Sequence, residues 1–562
     1  MSRSRQVRPA KVCPRFTFPR LTTRAGRWSV IGALVLVVCG CTPVGDYLRQ
    51  GLKVGPNYGR PPAPVANDWI DAGDKRISHA EDDLSHWWTV FNDPVLNNLV
   101  ADAYRQNLTL RQAGFRVLEA RAIRAIAVGE FFPQQQFAAG DYTHNAISVL
   151  TANSFPEFTK RFFDQWDLGF KLAWELDFWG RFRRTIEAAT ADLDASVENY
   201  DDVLVTLIAD VATAYVTIRI LEEQIADTRK TIERLKVNLK QVKEQLRVGI
   251  KDVSGVDTNQ LLSILAQTEA LIPQFETQLR VASDQLCVLL GIPPVDLKAK
   301  LGQGSIPTAP PEVAVGVPAD LLSRRPDIRR AERLAAGQCA RIGVAESELY
   351  PHISITGTIG WSAERFTDLL KNKSLVGSIG PSFQWNILNY GRIINNVRLQ
   401  DAVFQELVAA YQNTVLNANR EAEDALILYL KAHQRVIDWG RSVHASQEAI
   451  RLDEARKELA DPQKWFRRSV LYTNLVSEQI SLTQAEGDIA LGLIQVYRAL
   501  GGGWQIRCAG GDGHKAEAPA TVPPMKPADE PETLPEPKPK PEPKPEPKPE
   551  PELLPPIKED KR

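Results

Sequence analysis

Residues able to do chemistry are few in this 562-residue chain, and their spacing argues against catalysis. The histidines (His79, His86, His144, His352, His433, His444 and His514) follow no metal-ligand spacing, and no two cysteines form a CxxC pair. There is no nucleophile–base pair, phosphate loop or metal cluster, so no enzyme activity, cofactor or metal is expected. One charge cluster, "RRPDIRRAE", sets Asp327 and Glu332 among Arg324, Arg325, Arg329 and Arg330. It reads better as salt bridges at a helix start than as a phosphate or nucleic-acid site. A net charge of −1 offers nucleic acid no attracting field.

One cysteine is placed for modification. Eight basic residues from Arg3 to Arg27 precede "WSVIGALVLVVCGC", an apolar run too short to span a membrane and stay, ending in small residues and Cys41. Residues 1–40 are expected to be a signal peptide. "VCGC" resembles a bacterial lipobox with Cys41 as the lipidated residue, which would anchor the mature N-terminus. Thr42 in place of Asp resembles the outer-membrane-bound class of lipoproteins. A signal peptide without lipid and a buried core helix are the alternatives. Cys287 reads as a small core residue. A disulfide between Cys339 and Cys508 is left open.

The rest of the chain is organised as two copies of one pattern. Residues 41–93 are a Pro- and Gly-rich arm. Residues 94–300 form the first repeat: helices from Asp93-Pro94, a strand pair over 135–178, a long helix over 181–247 and a return helix over 256–290. Pro273 is expected to kink or break that return helix. Residues 301–504 repeat the order, with a strand pair over 351–390 and a turn near Asp461-Pro462. The long helix carries a seam at Leu204, Leu207, Val211, Ala214, Ile218, Leu221, Ile225, Thr228, Ile232, Leu235, Leu239, Val242 and Leu246, spaced as in a coiled coil. The second copy repeats it from Ala422 through Tyr429, Val436 and Val443 to Ile450. Residues 505–562 are a tail of alternating Pro, Glu and Lys, read as an extended spacer or a peptidoglycan- or protein-contacting arm.

The strands decide the setting. Trp166, Leu168, Phe170, Leu172, Trp174, Leu176 and Phe178 alternate with Asp167, Gly169, Lys171, Ala173, Glu175 and Asp177. Ile353 to Trp361 and Ile379 to Ile387 alternate likewise. An aromatic-rich apolar face against a small, polar one suits lipid outside and water inside. A sheet in lipid must close, and four strands cannot, so several chains must share a barrel. A water-filled lumen argues for three. Each copy ends alike, Trp179-Gly180-Arg181 and, 211 positions on, Tyr390-Gly391-Arg392. The aromatic suits a membrane boundary, Gly a sharp turn, and Arg the exit from lipid.

At "VGPNYGRPPAP", "WWTVFNDPVLNNLVADAYRQNLTLRQA", "WELDFWGR" and "LLSRRPDIRRAERLAA" the sequence resembles the TolC-like outer membrane efflux proteins, in their OprM-like (NodT) lipoprotein branch. The resemblance implies an α+β, mostly α fold. It implies a homotrimer with a 12-strand β-barrel in the outer membrane, a coiled-coil helical barrel in the periplasm and an equatorial domain. It further implies docking to a periplasmic adaptor and an inner-membrane pump, of resistance-nodulation-division type, in a tripartite efflux system. A type I protein-secretion duct shares this architecture. A non-conducting structural lipoprotein linking envelope layers is the alternative from another class.

The helical tips farthest from the strands are the expected constriction. Asp252 and Asp257 of three chains would gather near one axis, with Asp257 matching the family's acidic ring. Arg247 and Lys251 on the same tip, or Arg467 and Arg468 on the other, would hold the ring. In the second tip Asn474 stands where the family pattern places Asp, and Leu475 and its neighbours are the apolar alternative.

Overall fold

The computed structural model describes residues 44–80, 83–148, 150, 160–249, 254–455 and 464–509. Cys41, Asp252, the signal segment and nearly all of the tail lie outside them. The elements below belong to the unit that ends at Ile506.

The arm opens with α1, Val44–Arg49, and supplies β1, Ile77–Ser78. Asp93 then starts α2, Pro94–Gln106, by accepting the amides of Val95 and Leu96 at 2.8 and 3.3 Å. Its other oxygen accepts the Tyr215 hydroxyl at 2.6 Å, so one side chain both caps α2 and ties it to the long helix. There follow α3, Leu108–Gly129, the strands β2, Gln135–Ala146, and β3, Phe162–Leu176, and α4, Arg181–Arg247. Helix α5, Gly255–Leu289, returns alongside α4. It continues through Pro273, so the break allowed by the sequence is not realised.

Between the repeats, α6, Lys298–Leu301, precedes β4, Val313–Ala314. Strand β4 pairs in parallel with β1, joining arm to linker. Buried Arg219 of α4 fastens this linker by donating to the carbonyls of Leu301 and Gly302, at 2.6 and 3.0 Å. The second repeat comprises α7, Leu321–Arg324, and α8, Pro326–Ser347; then β5, His352–Ala363, and β6, Leu375–Gln384; then α9, Arg392–Ala455, and α10, Lys464–Ala499.

The 67-residue α4 is about 100 Å long. Its seam is buried from Leu204 to Val242, and Leu246 is 40% exposed, so the seam runs out one step early. It contains a stretch apolar enough to cross a membrane, but 72% of that window is buried by its neighbours, which makes it core helix here. In α9, Ala422, Ala425, Tyr429, Ala432, Val443 and Ile450 are buried as the spacing requires. Ile232, Leu235, Leu239 and Val242 of α4 share a distal cluster with Leu261 and Leu265 of α5, Val443 and Ile450 of α9 and Tyr472 and Leu475 of α10.

Candidate functional site: strand face, turns and helical tip

The four long strands form one antiparallel sheet in the order β2–β3–β5–β6. The register aligns the two faces across it. Tyr142 pairs with Trp166, Trp166 with Ala363, Phe170 with Ile359, and Ile359 with Gly377. On the opposite face Lys171 pairs with Thr358 and Thr358 with Ser378. Leu168, Phe170, Ile359, Leu375, Ile379 and Phe383 are exposed, an unpartnered apolar surface of the kind that contacts lipid. Strand β6 stops at Gln384, short of the expected Ile387. Its ladder partner β5 begins at His352, opposite Gln384, so Trp385 has no partner strand in this sheet.

Both expected strand-to-helix turns are present, with Gly180 and Gly391 at φ +82° and +81°. They are not equally dressed. Trp179 lies between Tyr47 and Tyr350, with centroids 5.6 and 4.5 Å away, and donates its indole N–H to Pro351 at 2.9 Å. Arg181 meets Glu175 at 3.1 Å and Glu348 at 3.6 Å, and His352 bonds Glu175 at 2.8 Å. The neighbours of Arg181 carry a further task. Arg183 donates to the carbonyls of Gly51 and Leu52. Buried Arg184 donates to those of Val54 and Gly55 and to Asn57 Oδ1, at 3.0–3.1 Å. The arm is thus clamped to the first turn, and Lys53 pairs with Glu187. Tyr390 and Arg392 of the second turn stand exposed.

Arg324 and Arg325 pair with Asp320, Asp327 and Glu421, Arg329 with Glu198, and Glu332 with Arg60, so this cluster is a structural network. Cys287, Cys339 and Cys508 are free thiols, the first two buried.

At the tip, Asp257 closes a capping box with Ser254, its carboxylate 2.9 Å from the Ser254 amide and 2.7 Å from the hydroxyl. Arg247 pairs with Glu244. Arg467 and Arg468 both reach Asp453 of α9, at 3.0 and 2.8 Å. Among the described residues they meet an acid of their own hairpin, not Asp257. Asn474 is exposed. Leu475 is buried in the distal cluster, turned away from solvent. Asp453 was not among the expected residues, although it sits three positions beyond Ile450, where the seam calls for an apolar side chain.

A family model described as "Outer membrane efflux protein" matches residues 99–292 and 317–459. The chain belongs to the outer membrane efflux protein family. This efflux protein is 29% identical over 412 residues to nodulation protein T of Rhizobium leguminosarum bv. trifolii, a match covering 73% of this chain and 86% of that one. It is 28% identical over 453 residues to outer membrane protein OprJ of Pseudomonas aeruginosa, covering 80% and 93%. The solved structure of the outer-membrane channel OprN matches at a TM-score of 0.74 and 29% identity, over 80% of this efflux protein and 99% of that chain. The CmeC outer membrane channel of Campylobacter jejuni, at 0.73 and 21% identity over 80% and 95%, supports the fold alone. The TolC-like, OprM/NodT-type resemblance is borne out, and the protein is an efflux channel of the outer membrane.

Proposed function

We propose that three copies of this chain close one 12-strand barrel, and that the resulting duct is the exit of a tripartite efflux system. An inner-membrane pump, of resistance-nodulation-division type, expels substrates into it through a periplasmic adaptor. The duct itself conducts passively and catalyses nothing. One observation carries this reading: a four-stranded sheet with an exposed apolar face, its edge strands β2 and β6 each paired on one side only among the described residues, stands on two helical hairpins, the longest helix about 100 Å. An edge left open in lipid costs several kcal/mol per unpaired group. Closure among copies removes that cost.

The domain reading follows: a signal over 1–40, an arm over 41–93, repeats over 94–300 and 301–504, and a tail over 505–562. Lipid on Cys41 suits the arm, because Tyr47 of α1 donates to Phe178 at 2.7 Å, beside the aromatic end of β3. The closed end lies at the hairpin tips, with Asp257 and Asp252 at the entrance. Arg467 and Arg468, held by Asp453, keep the second hairpin compact. The test is purification in mild detergent followed by bilayer recording. A particle of about three chains that conducts ions, with Asp257→Asn lowering cation preference, supports the reading. A stable monomer, or a trimer without conductance, overturns it.

A further inference from the structure

The chain carries its own template for the contact between copies. Two offsets relate its halves. Residues ending β3 and entering α4 recur 211 positions later, and residues closing α3 recur 218 positions later at the end of α8. The second offset aligns "EFFP", Glu130 to Pro133, with "ELYP", Glu348 to Pro351. One hydrogen bond, made twice, shows that these places correspond. Trp174 donates its indole N–H to Phe131 at 3.3 Å, and Trp385 donates to Leu349 at 3.0 Å.

The first turn is seated on "ELYP". Trp179 stacks on Tyr350 with the ring planes 23° apart and bonds Pro351, and Arg181 reaches Glu348. The second turn has no seat. Tyr390, the counterpart of Trp179, is 96% exposed. Arg392 is exposed and has no ion pair among the described residues. The motif "EFFP" has no occupant of this kind. Phe132, the counterpart of Tyr350, is 59% exposed, and Glu130 is exposed without an ion pair among the described residues. One chain therefore holds an unseated turn and an unfilled seat of matching chemistry, aromatic for aromatic and Arg for Glu.

Their positions keep them apart within the chain. The seat precedes β2 and the turn follows β6, and these strands are the opposite edges of the sheet. Resting on the shared-barrel reading above, we propose that Tyr390-Gly391-Arg392 of one copy docks on Glu130 to Pro133 of the next, Tyr390 stacking on the partner subunit's Phe132 and Arg392 pairing with the partner subunit's Glu130. Deeper in the seam the same offsets replace the Arg341–Asp192 ion pair with Ile123 and Val403, so a charged contact becomes an apolar one and complementarity is kept. The arm clamp is not reproduced, because Ile394 and Asn395 stand where Arg183 and Arg184 hold the arm. Each copy needs only one arm.

The test uses the full chain in its membrane, on a Cys508→Ser background, with Tyr390→Cys and Phe132→Cys combined and a short thiol-specific bifunctional reagent. A covalent trimer on a denaturing gel is expected from the double variant and is lost in either single variant. Independently, Arg392→Glu and Glu130→Arg should each lower the heat resistance of the oligomer, and the two together should restore it. Particles of three chains with neither cross-link nor rescue overturn this contact and leave the shared barrel standing. A chain that remains monomeric overturns both.

Discussion

Arg468 reaches Asp453 across the second hairpin at 2.8 Å, with side chains only 8% and 5% exposed. Arg467 takes the other carboxylate oxygen, and Arg468 also donates to the Asp453 carbonyl at 3.2 Å. One acid near the end of α9 thus fixes two cations near the start of α10. Removing one member of a buried pair costs about 3–5 kcal/mol. Asp453→Asn should therefore loosen this tip, and trypsin should cut after Arg467 or Arg468 faster than in the parent. Unchanged cleavage and unchanged conductance would place the stability of the tip in the apolar cluster around Leu475.

Gly169 of β3 and Gly360 of β5 are register partners, and neither has room for a side chain. A Cβ on Gly169 would lie 2.8 Å from the Ile359 carbonyl oxygen, and one on Gly360 would lie 2.5 Å from that of Leu168. Gly360→Val should cost about 1–3 kcal/mol and lower the temperature at which the assembled barrel dissociates in detergent. Gly357 of β5, inside the sheet, would hold a Cβ at ordinary contact distance, 3.5 Å from the Ser378 carbonyl oxygen, so Gly357→Ala is the control and should be nearly silent. Equal behaviour of the two variants would refute the close approach.

Arg184→Ala strips the arm of three hydrogen bonds, those to Val54, Gly55 and Asn57. Leaving buried acceptors unmet costs about 1–3 kcal/mol. Limited proteolysis should then cut within residues 51–57 faster than in the parent. Arg184→Lys should rescue poorly, because a single ammonium cannot span acceptors that a planar fork reaches together.

The same clamp has a pH dependence of defined sign. Burial alone would raise the Glu187 carboxyl, but its bonds from Lys53 and Arg184 outweigh that and hold it below the ordinary glutamate value of 4.5. A carboxylate whose pKa falls on folding contributes fully above its unfolded value, and the contribution is lost as pH drops through the folded one. The arm should loosen only in acid, below the ordinary glutamate range. Glu187→Gln should flatten that dependence. Release on the alkaline side, or an unchanged acid release in Glu187→Gln, would exclude this carboxylate as the cause.

Some of this was legible in the sequence because it rests on period. The expected span 181–247 is the helix observed, and the buried seam follows the three-four steps as far as Val242. The strand faces were legible for the same reason. Where a feature depends on which segment lies opposite, period misled. Alternation persists to Ile387, yet β6 ends where β5 gives out. Asp453 was hidden because its partners lie on α10, and which residues of two packed helices face each other is not set by the period of either one. The clamp on the arm was hidden because Arg181 is the residue that recurs in the second turn, whereas Arg183 and Arg184, which do not, hold residues 51–57.

The arm clamp also bears on the order in which the chain is assembled. Val54 and Tyr58 bond to Arg184 and Glu332, 130 and 274 positions downstream, and Gly55 abuts Gly343. Loops of that length are costly to close before their contacts form. A chain delivered from its N-terminus presents these residues early, yet the α8 side of their seat, at Glu332 and Gly343, does not exist until the second repeat has arrived. The arm is therefore a late stitch made with the earliest thread. Protection of residues 51–57 from protease would time-stamp completion of α8, which makes this segment a built-in reporter of finished folding during vectorial export.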